Sequence, residues 1–322
     1  MTSPVGWGFL GAGQIARAAL APAVHSADGA ELAVAGARDL TRAEALGPHA
    51  AAYASYEEVV TDPRVEVVYV ALANDAHLPW AERALAAGKH VLCEKPLGLS
   101  GAEVRSLVKA AAAADRLLVE ASWNRWHPRT RRAEALLRTG AIGRLRKVET
   151  GFAFGGVPEG NYRLDPTRGG GALYDVGCYA VAAAHWATGF APMHQCASTS
   201  RLGPTGVDLT TDAVLQIGEV EAIVHSSIDE DDAQWVRVEG ESGSLVLDGN
   251  DAFTSWLCAS TLTVTTPRGS RVEQFAPVDP YRVMVEHVSA AVRGQPGAWL
   301  LPLDESARIA DTLDLIRAEP VV

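Results

Sequence analysis

Short apolar runs alternate with stretches of helical periodicity through the first third of the chain. That rhythm predicts βαβ units built around a parallel sheet. Val5–Leu10 reads as a first strand, Glu31–Ala37 as a second and Val65–Leu72 as a third, followed by His90–Cys93 and Leu117–Ala121. A helix is expected from Gln14, kinked or shortened at Pro22, which lacks an N–H and clashes with the preceding turn. Pro79 can open the next helix and Gly88 close it. Ser100 and Glu103 form a capping box for a helix running to Ala114.

After about residue 122 the rhythm changes. A helix is predicted over Thr130–Arg138 and a strand over Leu145–Phe154. An irregular stretch then leads to Gly171 and a second helix ending near Gly189. From there to about Phe275 the chain reads as β-rich, with strands at Asp212–Ile217, Glu221–Ile228, Trp235–Glu239, Ser244–Leu247 and Ser260–Thr266. Two helices close it, Tyr281–Arg293 and Asp304–Arg317. Strands that follow one another without helices between them predict a mostly antiparallel sheet. The expected fold is α/β: a Rossmann dinucleotide-binding domain over 1–121, then an α+β domain over 122–322 with a large open sheet. The second domain would bind substrate and mediate oligomerisation.

Composition narrows the function. The 322 residues carry a formal net charge of −11, with no long cluster of Lys and Arg. A nucleic-acid-binding face needs such a cluster; Arg125, Arg129, Arg131 and Arg132 read instead as a solvated helix flank. The four cysteines, Cys93, Cys178, Cys196 and Cys258, show no CxxC spacing and fit reduced thiols in a cytoplasmic protein. Neither a signal peptide nor an apolar run near the ~20 residues of a membrane span is visible.

The first chemical motif is Gly11-Ala12-Gly13-Gln14-Ile15-Ala16, between a strand and a helix. The first glycine allows the tight turn and the second lets backbone approach a pyrophosphate. The free N–H groups of Gln14, Ile15 and the following turn face the phosphates, and Ala16 lets the helix pack on the sheet. The second strand ends at Arg38-Asp39. An acid there holds the ribose 2′-hydroxyl of NAD, whereas a guanidinium pairs with the 2′-phosphate of NADP. Arg38 favours NADP; Asp39, one residue on, keeps NAD possible.

The fourth strand runs into Glu94-Lys95-Pro96, at the carboxyl end of a parallel strand where ligands bind in such sheets. With GAGQIA and the later GGGALYDVGCY, this resembles the glucose–fructose oxidoreductase, inositol dehydrogenase and rhizopine-catabolism family (Gfo/Idh/MocA). Glu120–Pro128, Gly140–Gly143 and Asn161–Pro166 are most similar to its NADP-dependent branch, which holds dihydrodiol and xylose dehydrogenases and glucose–fructose oxidoreductase. The resemblance implies that Lys95 contacts substrate hydroxyl and cofactor, that Pro96 follows a cis bond, and that Asn74, His77 and Glu94 lie near the nicotinamide half. It also implies Tyr179 as the acid/base residue, where inositol-dehydrogenase-like members carry His.

The chemistry agrees. Asp175 and Tyr179 stand at i and i+4 on one predicted helix and would share a face. Gly177 between them suggests close approach by a backbone or a ligand. A free phenol, with a pKa of about 10, is a poor base at neutral pH. The Lys95 ammonium would stabilise the phenolate, while Asp175 would orient substrate hydroxyls or Lys95. The expected activity is hydride transfer to or from a hydroxyl-bearing carbon of a sugar or cyclic polyol. Alternatives are a reductase of a nucleotide-bound ketosugar and a non-catalytic dinucleotide sensor.

Trp123, Phe152 and Tyr281 form either an apolar substrate wall or core, and Asn161 and Arg163 can reach substrate oxygens. His127 and His185 read as satisfied histidines, and no metal site is expected. Val214, Leu215, Ile223 and Val224 suggest an open sheet face that pairs copies into a homodimer or homotetramer.

Overall fold

The computed structural model describes residues 3–247 and 251–318. It packs as two compact units, Met1–Trp123 with Asp279–Ala307, and Asn124–Val278 with Arg308–Val322.

In the first unit, β1 (Val5–Leu10) runs through the turn at residues 11–13 into a π-helical stretch, Ala16–Leu20, and then α1 (Ala21–Ser26). Pro22 sits in the first turn of α1, directly after the π-helical stretch. The wider π turn ahead of it replaces the expected kink. β2 (Ala30–Gly36) and α2 (Leu40–Glu44) follow. The short β3 (Ala51–Tyr53) and α3 (Tyr56–Thr61) come next and are absent from the sequence reading. After β4 (Val67–Val70) come α4 (His77–Ala86), β5 (His90–Cys93), α5 (Gly101–Ala114) and β6 (Leu118–Glu120).

All six strands are parallel, in the order β3-β2-β1-β4-β5-β6. Ligands bind such a sheet beyond its carboxyl edge, near the β1/β4 reversal. β1 and β4 are buried at every residue, as expected of parallel strands covered on both faces. The capping box forms with one change of partner: Ser100 accepts from the Glu103 N–H, while Glu103 accepts from Leu99.

The second unit contains α6 (Pro128–Arg138), β7 (Leu145–Ala153), a π-helical stretch (Leu173–Gly177) and α7 (Cys178–Ala187). Then come β8 (Met193–Leu202), β9 (Asp208–Ile217), β10 (Val220–Ser227), β11 (Ala233–Gly240), β12 (Gly243–Leu247), β13 (Ser260–Thr266) and β14 (Gly269–Phe275). The eight-stranded sheet is antiparallel except where β7 meets β10. All ten residues of α7 are buried, and the helix packs on β7, β10 and β11; its lack of a polar face follows from that. The closing helices are α8 (Pro280–Val292) and α9 (Leu303–Ala318). α8, which the sequence reading assigned to the second domain, packs in the first unit.

Two surface expectations change. Arg125 and Arg129 are 3% and 1% exposed rather than solvated, because each finds partners inside: Arg125 pairs with Glu134, and Arg129 with Asp251. Of the four residues expected on one open sheet face, Leu215 and Val224 are buried, whereas Val214 is 45% exposed and Ile223 half-buried. Successive strand residues point to opposite faces, so the set splits into two pairs.

Candidate active site

The glycine turn is built by backbone geometry. Gly11 has φ of +100°, and a Cβ there would lie 2.4 Å from the Ala71 carbonyl oxygen. Only glycine fits. Gly13 is different: a Cβ there would meet nothing within 4 Å. Nothing in the protein demands a glycine at that position, which fits a turn kept bare for a pyrophosphate. Gln14 and Ile15 follow at the helix entrance, and Arg42 donates to the Ala12 carbonyl at 2.7 Å, bracing the turn.

The end of β2 separates its two candidate side chains. Asp39 caps α2, its carboxylate accepting from the Thr41 N–H at 3.0 Å and the Thr41 hydroxyl at 2.6 Å. The hydroxyl bond first and the N–H bond next hold that carboxyl below its usual range. Arg38 is exposed beside it.

The segment after β5 is pinned from three sides. Tyr69 donates to Glu94 at 2.6 Å, the His77 ring lies 2.8 Å from the Pro96 carbonyl, and the Leu97 N–H donates to Glu120 at 3.1 Å. Lys95 and Pro96 are joined by a cis bond. Burial pushes the Glu94 carboxyl up, against the opposing pull of the Tyr69 hydroxyl and the Lys95 charge. Lys95 is half-buried at the centre of this anchored loop.

His77 lies directly against the Lys95-Pro96 segment. It has no exposed surface, its second nitrogen faces the Leu72 carbonyl at 3.2 Å, and burial holds its pKa low. A ring enclosed this way holds the Lys95-Pro96 segment in place. Asn74 is likewise buried, at the turn before α4.

The second unit carries the tyrosine. Asp175 lies in the π-helical stretch and Tyr179 in the first turn of α7, so the helix is not the uniform one expected. π-bulges of this kind are frequent at functional sites. A Cβ on Gly177 would come within 2.9 Å of the Leu173 side chain and 3.0 Å of the Ser226 hydroxyl. Asp175 is 5% exposed and accepts from Arg163 Nε at 2.5 Å. Asn161 spends its carbonyl capping the Arg163 N–H at 3.0 Å.

The three aromatic residues of the expected wall divide between the units. Trp123 and Tyr281 stack in the first, with centroids 4.5 Å apart, and both are almost wholly buried. Phe152 packs in the second against Tyr179 at 5.7 Å.

Sequence reasoning missed Phe253, which stacks on Phe152 at 5.7 Å and lies 5.9 Å from Tyr179. Its loop is held by Arg129, which donates to the Asp251 and Ala252 carbonyls at 2.6 and 3.1 Å, and by Gln234, which accepts from the Phe253 N–H at 2.9 Å. The sequence carried no signal for this, since Arg129 reads as a solvated flank and its burial, with the partners an interior guanidinium needs, shows only in the fold. Among the described residues, no group of three or more His, Cys, Asp or Glu side chains is placed to hold a metal ion, and no helix is long and apolar enough to cross a membrane.

Residues 5–122 match the oxidoreductase family with an NAD-binding Rossmann fold, GFO_IDH_MocA, and residues 130–246 match the GFO/IDH/MocA C-terminal domain. The chain is 35% identical to a D-xylose 1-dehydrogenase (NADP(+)) of Haloferax volcanii, over 96% of its own length and 95% of that protein. It is 33% identical to the human trans-1,2-dihydrobenzene-1,2-diol dehydrogenase, over 87% and 86%. A crystal structure of a 3-ketoreductase from Actinomadura kijaniata, in complex with NADP and TDP-benzene, superposes with a TM-score of 0.88 at 26% identity, covering 99% of this chain and 98% of that one. By its sequence relatives and by its fold, the chain belongs to the Gfo/Idh/MocA family and is an oxidoreductase built on a dinucleotide-binding Rossmann domain.

Proposed function

We propose that the protein is an NADP(H)-dependent oxidoreductase acting on a CH–OH or C=O carbon of a small sugar or cyclic diol. The observation that carries this reading is the presence of Lys95, Asp175 and Tyr179 together, in a chain related over most of its length to a xylose dehydrogenase and a dihydrodiol dehydrogenase. The capped carboxylate of Asp39 supports NADP: with that acid engaged by Thr41, Arg38 is the side chain available to a 2′-phosphate.

The residues fit a dinucleotide. Gly11, Gly13 and the N–H groups of Gln14 and Ile15 would hold its pyrophosphate and Arg38 its 2′-phosphate, with Asn74, Glu94 and Lys95 towards the nicotinamide. The bound cofactor supplies or accepts the hydride. In the oxidative direction Tyr179 takes the hydroxyl proton from the substrate, and Lys95 stabilises the phenolate and the developing alkoxide. Asp175 orients substrate hydroxyls. Phe152 and Trp123 exclude water from the reacting carbon, while Asn161, Arg163 and Tyr281 shape the substrate side. The anchored Glu94–Leu97 segment fixes Lys95 so that little reorganisation accompanies the reaction.

A second reading, a reductase of a nucleotide-linked ketosugar, is favoured by the likeness to the 3-ketoreductase and by a guanidinium, Arg163, close to Asp175. Two copies are proposed to pair through the outer face of the eight-stranded sheet, with the protein acting in the cytoplasm.

A reduction screen of NADP⁺ against NAD⁺ with pentoses, hexoses, inositols and cyclic diols tests the reading. Turnover of a free sugar or diol with NADP⁺ preferred supports it. Tight NADP⁺ binding with no turnover anywhere in the panel overturns it, and reduction of a nucleoside-diphosphate ketosugar alone transfers the assignment to the second reading.

A further inference from the structure

The loop before the π-helical stretch is locked onto it by backbone contacts. The Gly171 N–H donates to the Arg163 carbonyl at 2.9 Å, the Gly170 N–H to Asp165 at 3.0 Å, and the Asp175 N–H returns to the Gly171 carbonyl at 3.1 Å. Gly170 has no room for a side chain, since a Cβ would lie 2.5 Å from the Arg163 carbonyl oxygen. Arg163 is therefore held at both backbone and side chain. Its Nε is 2.5 Å from the Asp175 carboxylate, while 30% of its side chain stays exposed.

We propose that Arg163 is a positioning residue that holds the Asp175 carboxylate and, through its charge, sets when Tyr179 gives up its proton. The two charges act on the phenol in opposite senses. A guanidinium favours the phenolate and a carboxylate opposes it. Burial works against the charged form of Arg163 and the Asp175 carboxylate opposes it; Tyr179 follows Asp175 by four residues along the same helical run, which places the ion pair one turn from the phenol. Within the second unit, Arg163 is thus a cation at hand for Tyr179.

This deepens the acid/base reading of Tyr179, and the test separates the two. Tyrosinate absorbance is titrated without substrate or cofactor, and subtracting the matching Tyr179→Phe background isolates residue 179. Arg163→Gln should raise its midpoint by about one pH unit and Asp175→Asn should lower it, with the double variant lying between. Arg163→Lys, which keeps the charge and loses the Nε geometry, should restore most of the midpoint. A merely structural role would move both single variants the same way, and circular dichroism confirms that each is folded.

An unchanged midpoint in Arg163→Gln overturns the proposal and leaves Arg163 a substrate contact. Opposite shifts accompanied by full turnover in Tyr179→Phe uphold the electrostatic coupling and refute the acid/base assignment instead.

Discussion

Asp39 accepts two hydrogen bonds from Thr41, at 3.0 Å from its N–H and 2.6 Å from its hydroxyl, and so serves as the cap of α2. That leaves Arg38 as the charged side chain facing outward at the end of β2. A charge-assisted hydrogen bond is worth about 1.5–3 kcal/mol. Replacing Arg38 with Ala should therefore lower kcat/KM for NADP⁺ by roughly tenfold or more and leave that for NAD⁺ nearly unchanged. Equal losses with both cofactors would show that residue 38 does not read the 2′-phosphate.

Arg129→Met should destabilise the protein by about 3 kcal/mol, because it strands Asp251 and two buried carbonyls that the guanidinium now satisfies. Thermal unfolding measures it. Turnover should fall as well, through the loop that presses Phe253 towards Tyr179.

Acid should weaken the fold early. His127 and His185 are held to about 4, burial being the main cause, with Arg129 and Arg308 respectively adding to it. Their unfolded value is about 6.5. Their contribution is intact above that value and is lost as pH falls from about 6.5 towards 4, where the unfolded chain takes up protons the folded one refuses. Each is worth up to about 3 kcal/mol across that window. Glu94, whose carboxyl is raised by burial, acts in the opposite sense. Melting temperature should drop between pH 7 and 4.5, and His185→Gln should flatten the drop; an unchanged slope would refute the assignment.

The outer face of the large sheet is testable through Val214, which is 45% exposed and pairs across the strands with Ile223. Val214→Asp should reduce the mass measured by light scattering towards that of one chain if copies join there. An unchanged oligomer would place the interface elsewhere.

Motifs whose meaning is local were legible in the sequence. The glycine turn, the Lys95-Pro96 segment and the strands of the first unit follow from backbone demands and unbroken apolar runs. β3, β8 and β14 escaped because the first spans three residues and the other two are largely exposed, so none carries a strong apolar signal. Phe253 escaped for another reason. Its approach to Tyr179 is set by hydrogen bonds from Arg129 and Gln234, far away in the chain, which no periodicity encodes. The pairing of Arg163 with Asp175 was not legible either, because the two lie twelve residues apart across an irregular loop.

The most direct measurement is a double-mutant cycle on hydride transfer, with Lys95→Met, Tyr179→Phe and the double variant assayed on the fastest substrate of the panel. A positioned acid/base group is worth about 10²–10⁴-fold. If the ammonium and the phenol serve one proton transfer, each single variant loses at least a hundredfold in kcat and the double variant is hardly worse than the poorer single, with NADP⁺ binding kept by Tyr179→Phe. Losses that multiply, or a Tyr179→Phe enzyme that turns over at the parental rate, would contradict the account.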